Sequence, residues 1–205
     1  MNKNPKELLN KLNIKYHNYS LYETAFTHPS YENESNKKGN YQRLEFVGDA
    51  ILEHIMTDYI FNNYSNMQEG DMSFLRSNLV RMETLYALAL EIDLPSYILL
   101  GKGEDKGNGR HKQSLVSDVF EALLAAIYLD LGFDRARDFA MSLYTKYIDS
   151  KGIQNLLHQL KDYKTTLQEY VASESKRTVS YKLVSQKGPA NNPEFVAMKA
   201  SKIPY

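Results

Sequence analysis

Apolar residues recur at intervals of three and four along residues 1–150, and strict alternation of apolar and polar positions is absent there. This spacing puts the apolar side chains on one face of an α-helix, so it predicts consecutive helices. The predicted helical segments are PKELLNKLN, LYETAFTH, the stretch from Leu44 to Tyr64, DMSFLRSNLVR, METLYALALEI, PSYILL, VSDVFEALLAAIYLDLG and RARDFAMSLYTKYI. Gly132 is expected to end one of these helices, because glycine is common just after a helix C-terminus.

The pattern changes after residue 160. The segment DYKTTLQEYVAS predicts a helix, whereas TVSYKLVSQ and EFVAMKA alternate with a period of two and predict strands joined by the turn KGPANNP. The predicted fold is therefore mainly α. It comprises an all-α domain over residues 1–150, a linker over 151–160 and a small α-β-β unit over 161–205.

The charges are unevenly distributed, although the formal net charge is zero. Residues 146–205 carry ten Lys and Arg against five Asp and Glu, whereas residues 1–145 carry 15 basic and 20 acidic residues. This balance suggests metal binding in the first part and polyanion binding in the second. A chance fluctuation of a few charges would give the same balance.

Composition excludes several kinds of site. The chain contains no cysteine, which rules out disulfides, thiolate metal sites and a cysteine nucleophile. The N-terminus lacks the apolar core of a signal peptide, and no apolar run reaches a membrane-spanning length. The prediction is a cytoplasmic protein without a membrane partner.

Two strongly apolar helices each carry a pair of carboxylates. Glu45 and Asp49 are four residues apart, and Asp118 and Glu121 are three apart, so each pair lies on one face of its helix. If the two helices pack together, four carboxylates meet at their seam, and their repulsion requires a cation. Hard divalent cations bind oxygen ligands, and Mg²⁺ is usually held by a few carboxylates plus water and substrate phosphate.

A solvated helix face explains either pair alone better than a metal site does, but the presence of both pairs in apolar helices favours the metal hypothesis. A ferritin-like di-iron site would need Glu-x-x-His pairs on two helices, and neither pair has His at that spacing. Glu53, one turn beyond Asp49, is expected to be a surface acid or a supporting group rather than a ligand.

Several segments resemble the ribonuclease III family. RLEFVGDAIL is similar to the family signature, and EGDMSFLRSNLV (69–80) resembles the segment that follows it. GKGEDKGNGRHKQSLVSDVFEALLAAIYLDLG (101–132) resembles the second acidic segment, and THPSY (27–31) also matches. Order and spacing agree over nearly all of residues 1–150. The basic tail resembles the first half of the double-stranded-RNA-binding domain that follows in bacterial members.

The resemblance implies a homodimeric, all-α endonuclease domain that hydrolyses double-stranded RNA with Mg²⁺, for which Mn²⁺ can substitute. Products like those of the family would carry 5′-phosphate and 3′-hydroxyl ends with short 3′ overhangs. The expected roles are processing of ribosomal-RNA precursors and of mRNA in the cytoplasm. No small-molecule cofactor is expected.

The same resemblance implies roles for individual residues. Asp49 and Glu121 occupy the catalytic positions, and the metal ligands would be Glu45, Asp118 and Glu121. Glu69 matches a further acid near the site. Gln42 stands where many bacterial members have Glu, so it is expected to assist through hydrogen bonds rather than to bind metal.

Other residues are expected to make contacts with a partner subunit or with RNA. Phe46 matches a family position that reaches into a hydrophobic pocket of the partner subunit, although an ordinary core phenylalanine is an equal alternative. Gly48 is expected to permit close helix packing, and His28 to anchor a turn. The glycine-rich stretch from residue 101 to 110 predicts a mobile basic loop. The predicted RNA contacts are Arg110 and Lys112 beside this loop, and Thr165, Thr166 and Gln168 in the tail.

Two other functions remain open at this point. An all-α nucleotide pyrophosphohydrolase also clusters acids around Mg²⁺, but it would not need the basic tail. A double-stranded-RNA-binding relative that does not cleave would commonly lack some of the acids, whereas all four are present here.

The sequence ends near the point where the second strand of the RNA-binding domain should finish. A complete domain of this type has a third strand and a second helix. Residues 161–205 are therefore expected to form an incomplete unit that is loosely ordered or docked on a neighbour and binds RNA weakly.

Overall fold

The computed structural model describes residues 3–35, 39–158, 178–187 and 194–202. The chain divides into two compact units, Met1–Leu157 and His158–Tyr205. The helices are α1 (Pro5–Lys11), α2 (Tyr19–Ala25), α3 (Pro29–Ser35), α4 (Gln42–Asn63), α5 (Glu69–Val80), α6 (Met82–Glu91), α7 (Lys102–Lys106), α8 (Gln113–Leu131), α9 (Phe133–Lys151) and α10 (Ile153–His158). Two 3₁₀ turns, Leu94–Tyr97 and Gly109–His111, and two strands, β1 (Thr178–Lys187) and β2 (Glu194–Lys202), complete the described elements.

Helix α8 lies at the centre of the first unit. Nearly all its side chains from Leu115 to Ile127 are buried, and α2, α4, α6 and α9 pack around it. Helices α4 and α8 are in close contact at Gly48, where a Cβ atom would overlap the backbone carbonyl of Glu121. The predicted role of Gly48 in close packing is confirmed. This contact sets the spacing of the two helices that carry the acids.

Helix α8 ends as predicted. Gly132 follows Leu131 with a φ of 87°, and its N–H donates to the carbonyl of Tyr128 over 2.9 Å. Glycine adopts this left-handed region without the steric cost that a Cβ would add. Helix α9 begins immediately afterwards at Phe133.

The helix predicted for PSYILL is wrong. Helical geometry is limited to the 3₁₀ turn, and Leu99 forms a parallel bridge with Thr27. The amide of Leu99 donates to Phe26 over 2.8 Å, and the amide of His28 donates to Leu99 over 3.1 Å. Ile98, Leu99 and Leu100 are all buried, and a short apolar run of this kind suits a buried extended segment as well as a helix.

The segment predicted as a linker, residues 151–160, contains helix α10. Leu156 on this helix is buried in the core, and its carbonyl accepts a 2.7 Å hydrogen bond from the side-chain amide of the buried Asn78. Burial of one leucine and this bond tie the segment to the first unit, so it is not an extended connection.

The second unit contains the two predicted strands. β1 and β2 pair antiparallel, from Thr178 opposite Lys202 to Lys187 opposite Glu194, with an irregularity between Leu183 and Ser185. The helix predicted at DYKTTLQEYVAS lies outside the described residues, and the assignment of this unit as an RNA-binding domain stays a prediction. In the part of the chain that the structure describes, no helix combines the length and apolarity needed to cross a bilayer.

Candidate metal centre

Helices α4 and α8 bring acids from both predicted pairs together. Glu45, Asp118 and Glu121 each offer one carboxylate oxygen, and the three oxygens all lie within 4.8 Å of one another. Each of these side chains is half-buried at the seam between the helices. The prediction that acids of the two helices come together is confirmed for these three residues.

The carboxylates of this cluster repel one another in a poorly solvated place. Burial, followed by the charges of Asp49, Asp118 and Glu45, raises the pKa of Glu121 to about 8. Burial is also the first cause that raises the pKa values of Glu45 and Asp118. None of the ion pairs formed among the described residues includes one of the three clustered acids. The cluster therefore has an uncompensated negative charge that a bound cation would neutralise.

The donor set fits a hard divalent cation. All the convergent atoms are carboxylate oxygens, and neither His nor Cys belongs to the group. Such sets suit Mg²⁺ or Mn²⁺ better than Zn²⁺ or copper, which favour nitrogen and sulfur ligands. A bound cation would offset the repulsion from Asp49, Asp118 and Glu45, and so would favour the deprotonated form of Glu121.

Three other predicted residues are not members of this cluster. Asp49 is exposed one turn beyond Glu45, and its charge acts on both Glu45 and Glu121. Gln42 is exposed in the first turn of α4, where its backbone N–H donates to the side-chain oxygen of Asn40 over 3.1 Å. Glu69 is exposed at the start of α5 and accepts a 2.8 Å hydrogen bond from Ser73.

The segment predicted as a mobile basic loop is an ordered connection. It contains helix α7 and the turn Gly109–His111. The guanidinium of Arg110 donates to Asp105 over 2.7 Å and to the carbonyls of Pro95 and Ile98 over 2.7 and 2.9 Å. These contacts make Arg110 an anchor of the connection, and a phosphate would have to compete with them.

Lys112 differs from Arg110 in its exposure. It pairs with Glu104 over 2.7 Å, and about half of its side chain remains exposed just before α8. It therefore remains accessible to a ligand near the acidic helix. The other predicted RNA contacts, Thr165, Thr166 and Gln168, lie outside the described residues.

Phe46 is 80% exposed on α4, so it is not a core residue of the single chain. Phe61, on the same helix, is 69% exposed. A cavity of about 130 Å³ lies next to Phe61 and is lined by Thr57, Ile60, Phe61, Glu69, Met72, Ser73 and Arg76. Large exposed aromatic side chains on one helix are typical of an interaction surface.

Two residues near the site were not predicted to contribute to it. Tyr41 is buried just before α4, and its hydroxyl donates to the Asp118 carboxylate over 3.4 Å. The ring of His28 lies 5.8 Å from the ring of Tyr41. His28 anchors a turn as predicted, because its Nδ1 accepts from the Ser30 amide. The pattern offers no signal for the Tyr41 contact, which joins residues 77 positions apart.

Comparison with known proteins identifies the family. A family model described as Ribonuclease-III-like matches residues 18–148. The chain belongs to the ribonuclease III family. It is accordingly an endoribonuclease, and its cluster lies on the two helices that carry the segments similar to the family's acidic motifs.

Individual relatives agree with this assignment. Ribonuclease 3 of Borreliella afzelii is 43% identical over 190 residues, which is 92% of this chain and 76% of the relative. Ribonuclease 3 of Streptococcus equi subsp. zooepidemicus is 40% identical over 190 residues, covering 92% of this chain and 81% of the relative. A solved nuclease domain of ribonuclease III from Campylobacter jejuni has a TM-score of 0.65 at 34% identity. It covers 70% of this chain and 97% of that domain.

We expect the stability of the metal-free protein to fall as pH rises. The unfolded-state pKa of a glutamate is near 4.5, and the folded-state pKa of Glu121 is raised to about 8. The folded state therefore binds the extra proton between these values, and the free energy of unfolding decreases across that window. The full shift corresponds to about 5 kcal/mol, and solvent screening of this half-buried cluster reduces the expected change to about 2 kcal/mol. In EDTA, the melting temperature should drop by about 5 °C from pH 5 to pH 8.

Glu121→Gln should flatten this profile, because the amide does not ionise. Glu53→Gln is the matched control, since Glu53 is an exposed acid on α4 and should retain the wild-type slope. Equal slopes for wild type and Glu121→Gln would show that another group causes the pH dependence.

Proposed function

We propose that the protein is a divalent-metal-dependent endoribonuclease that hydrolyses phosphodiester bonds of double-stranded RNA. Its products would carry 5′-phosphate and 3′-hydroxyl ends with short 3′ overhangs, and its roles would be in ribosomal-RNA precursor and mRNA processing. The observation that carries this proposal is the group of Glu45, Asp118 and Glu121, with oxygens within 4.8 Å of one another at the seam of α4 and α8.

Glu45, Asp118 and Glu121 would hold Mg²⁺, and Mn²⁺ could replace it. A bound divalent cation supplies charge neutralisation at the phosphodiester and lowers the pKa of coordinated water. Asp49, exposed beside the cluster, can accept a proton from the attacking water or orient it. Glu121 is the most buried acid of the group. It would bind the same cation as Glu45, so the cation would link α8 to α4.

The two rival functions fit less well. A nucleotide pyrophosphohydrolase is disfavoured by a family match over residues 18–148. A binding protein that does not cleave is disfavoured because all four acids are present and three of them converge.

The test is cleavage of a long RNA duplex with Mg²⁺, with Mn²⁺ and with EDTA, alongside a single-stranded RNA and a nucleoside triphosphate. We expect metal-dependent cutting of the duplex alone, and ligation assays should detect 5′-phosphate ends. Duplex binding without cleavage would favour the non-cleaving relative. Hydrolysis of the triphosphate alone would favour the pyrophosphohydrolase.

A homodimer is part of this proposal. Phe46 is exposed on α4, the helix that carries Glu45 and Asp49, and the cavity beside Phe61 is partly apolar. Phe46 of each protomer would enter the corresponding cavity of the other, as a two-fold dimer allows. Each dimer would then carry two acid clusters, one for each strand of the duplex.

Phe46→Ala should weaken the dimer by about ten-thousandfold in Kd, because the two-fold dimer would lose two buried phenylalanines, each of which contributes about 3 kcal/mol. Sedimentation at several protein concentrations measures the dissociation constant. Leu90→Ala is the control, since Leu90 is a 50% exposed apolar residue on α6. An unchanged dimer constant together with a lowered melting temperature would contradict the interface role.

Residues 161–205 would contribute to RNA binding, with Thr165, Thr166 and Gln168 in contact with RNA. The test is a variant that lacks the second unit. Because Leu156 on α10 is buried in the core of the first unit, this variant should lack residues 159–205 and keep Leu156. We expect this variant to cleave duplex RNA at 20 mM salt and to lose activity more steeply than the full chain at 150 mM, since phosphate contacts dominate the affinity. Loss of cleavage at both salt concentrations would show that the nuclease depends on the second unit.

A further inference from the structure

Backbone hydrogen bonds on both sides of Tyr41 fix its position. Its amide donates to the carbonyl of Thr27 over 3.0 Å. Its own carbonyl accepts from the amides of Leu44 and Glu45 over 2.9 Å each. The residue therefore joins the extended segment at Thr27 to the first turn of α4. This arrangement leaves the ring little freedom to move away from the acid cluster.

The ring is enclosed by the protein. Tyr41 is only 5% exposed, and the ring of His28 lies 5.8 Å away. His28 is fixed in turn, because its Nδ1 lies 2.8 Å from the hydroxyl oxygen of Ser30 and accepts from the amide of that residue over 3.1 Å. A tyrosine hydroxyl in such a place needs a hydrogen-bond partner.

The partner of this hydroxyl is one of the clustered acids. Tyr41 donates to Oδ2 of Asp118 over 3.4 Å. Among the described residues, no other hydrogen bond to the Asp118 carboxylate is formed. A carboxylate has two oxygens, so one can accept from a hydroxyl while the other faces a cation. Without this contact, Asp118 could turn about its side-chain bonds.

We propose that Tyr41 is a positioning residue that orients the Asp118 carboxylate for divalent-cation binding, a role that rests on the proposed function. Hydrogen bonds to metal ligands commonly restrict ligand orientation, and their loss costs about 10- to 100-fold in metal affinity. The contact of Tyr41 is long for an O–H···O bond, so we expect an effect near the lower end of that range.

A second tyrosine–aspartate contact on α8 provides a matched control. The hydroxyl of Tyr22, whose ring is also buried, donates to Asp130 over 3.0 Å. Asp130 lies near the C-terminal end of α8, on the order of 18 Å from Asp118 along the helix. Tyr22→Phe and Tyr41→Phe each remove one hydroxyl from one carboxylate of α8, and only the second change touches the acid cluster.

The experiment measures Mn²⁺ binding in the absence of RNA. Free Mn²⁺ is followed by electron paramagnetic resonance during titration of wild type, Tyr41→Phe, Tyr22→Phe and Glu121→Gln. We expect Tyr41→Phe to bind Mn²⁺ about tenfold more weakly, and Tyr22→Phe to bind like wild type. The metal-free melting temperature of Tyr41→Phe should stay within about 3 °C of wild type. Its cleavage should need more Mg²⁺ for half-maximal rate and reach a similar maximal rate.

The outcomes separate this role from the proposed function. If wild type binds no Mn²⁺, or Glu121→Gln binds it equally well, the metal site itself is wrong. If the site exists and Tyr41→Phe binds like wild type, the positioning role is overturned. Equal weakening by Tyr41→Phe and Tyr22→Phe would also overturn it. So would unfolding of metal-free Tyr41→Phe, because the hydroxyl would then support the fold rather than the ligand.

Discussion

Glu121→Gln should reduce cleavage of duplex RNA by about a thousandfold or more while leaving duplex binding within about twofold of wild type. The amide keeps the volume of the side chain but removes the charge. Glu121 lies deepest among the acids, and burial together with Asp49, Asp118 and Glu45 raises its pKa to about 8. Without its carboxylate, α8 contributes only Asp118 to the group that would hold the cation.

Three measurements make this result specific. Cleavage is measured at saturating enzyme, binding by filter retention in Ca²⁺ or EDTA, and stability by the metal-free melting temperature at pH 8. We expect the melting temperature of Glu121→Gln to equal or exceed that of wild type, since one repelling charge is gone. Glu53→Gln removes an exposed acid from α4 and should retain full activity. Substantial Mg²⁺-dependent cleavage by Glu121→Gln would refute the catalytic assignment.

Gly48→Ala should lower the free energy of unfolding by about 3 kcal/mol and the melting temperature by about 10 °C. The added methyl group would overlap the backbone carbonyl of Glu121, and backbone cannot move aside as a flexible side chain can. Helices α4 and α8 would have to separate. Since Glu45 lies on α4 and Glu121 on α8, this separation would move the clustered acids apart, and cleavage should also fall by about a hundredfold.

Gly70→Ala provides the control for this change. Gly70 lies in the first turn of α5, and no atom lies within 4 Å of the Cβ position. Alanine is the better helix former, so this variant should be as stable as wild type or slightly more stable. A wild-type melting temperature for Gly48→Ala would mean that the separation of α4 and α8 at this contact is large enough to accommodate a methyl group.

The sequence alone was enough to predict the elements that carry the site. Apolar spacing predicted α4 and α8, and the intervals within each helix placed Glu45 with Asp49 and Asp118 with Glu121 on common faces. Helical periodicity depends on the local sequence, so it can be recognised without knowledge of the rest of the fold. The segments similar to family motifs added the enzyme class, which the family match confirms.

Local pattern was insufficient where an environment distant in sequence decided the structure. PSYILL pairs with Thr27 instead of forming a helix, and Leu156 in the predicted linker packs into the core. Arg110 is drawn inward by Asp105 and by two backbone carbonyls instead of facing solvent. Each outcome depends on which partners are near, and spacing along the chain does not specify them.

Only the tertiary structure determined which acids converge. The approach of α4 to α8 at Gly48 brings Glu45, Asp118 and Glu121 together and leaves Asp49 at the exposed edge. The same packing places the hydroxyl of Tyr41 beside Asp118, 77 positions later in the chain. Helical periodicity assigns a residue to a face. The distance between two faces depends on how closely the backbones pack, and here a glycine permits that close approach.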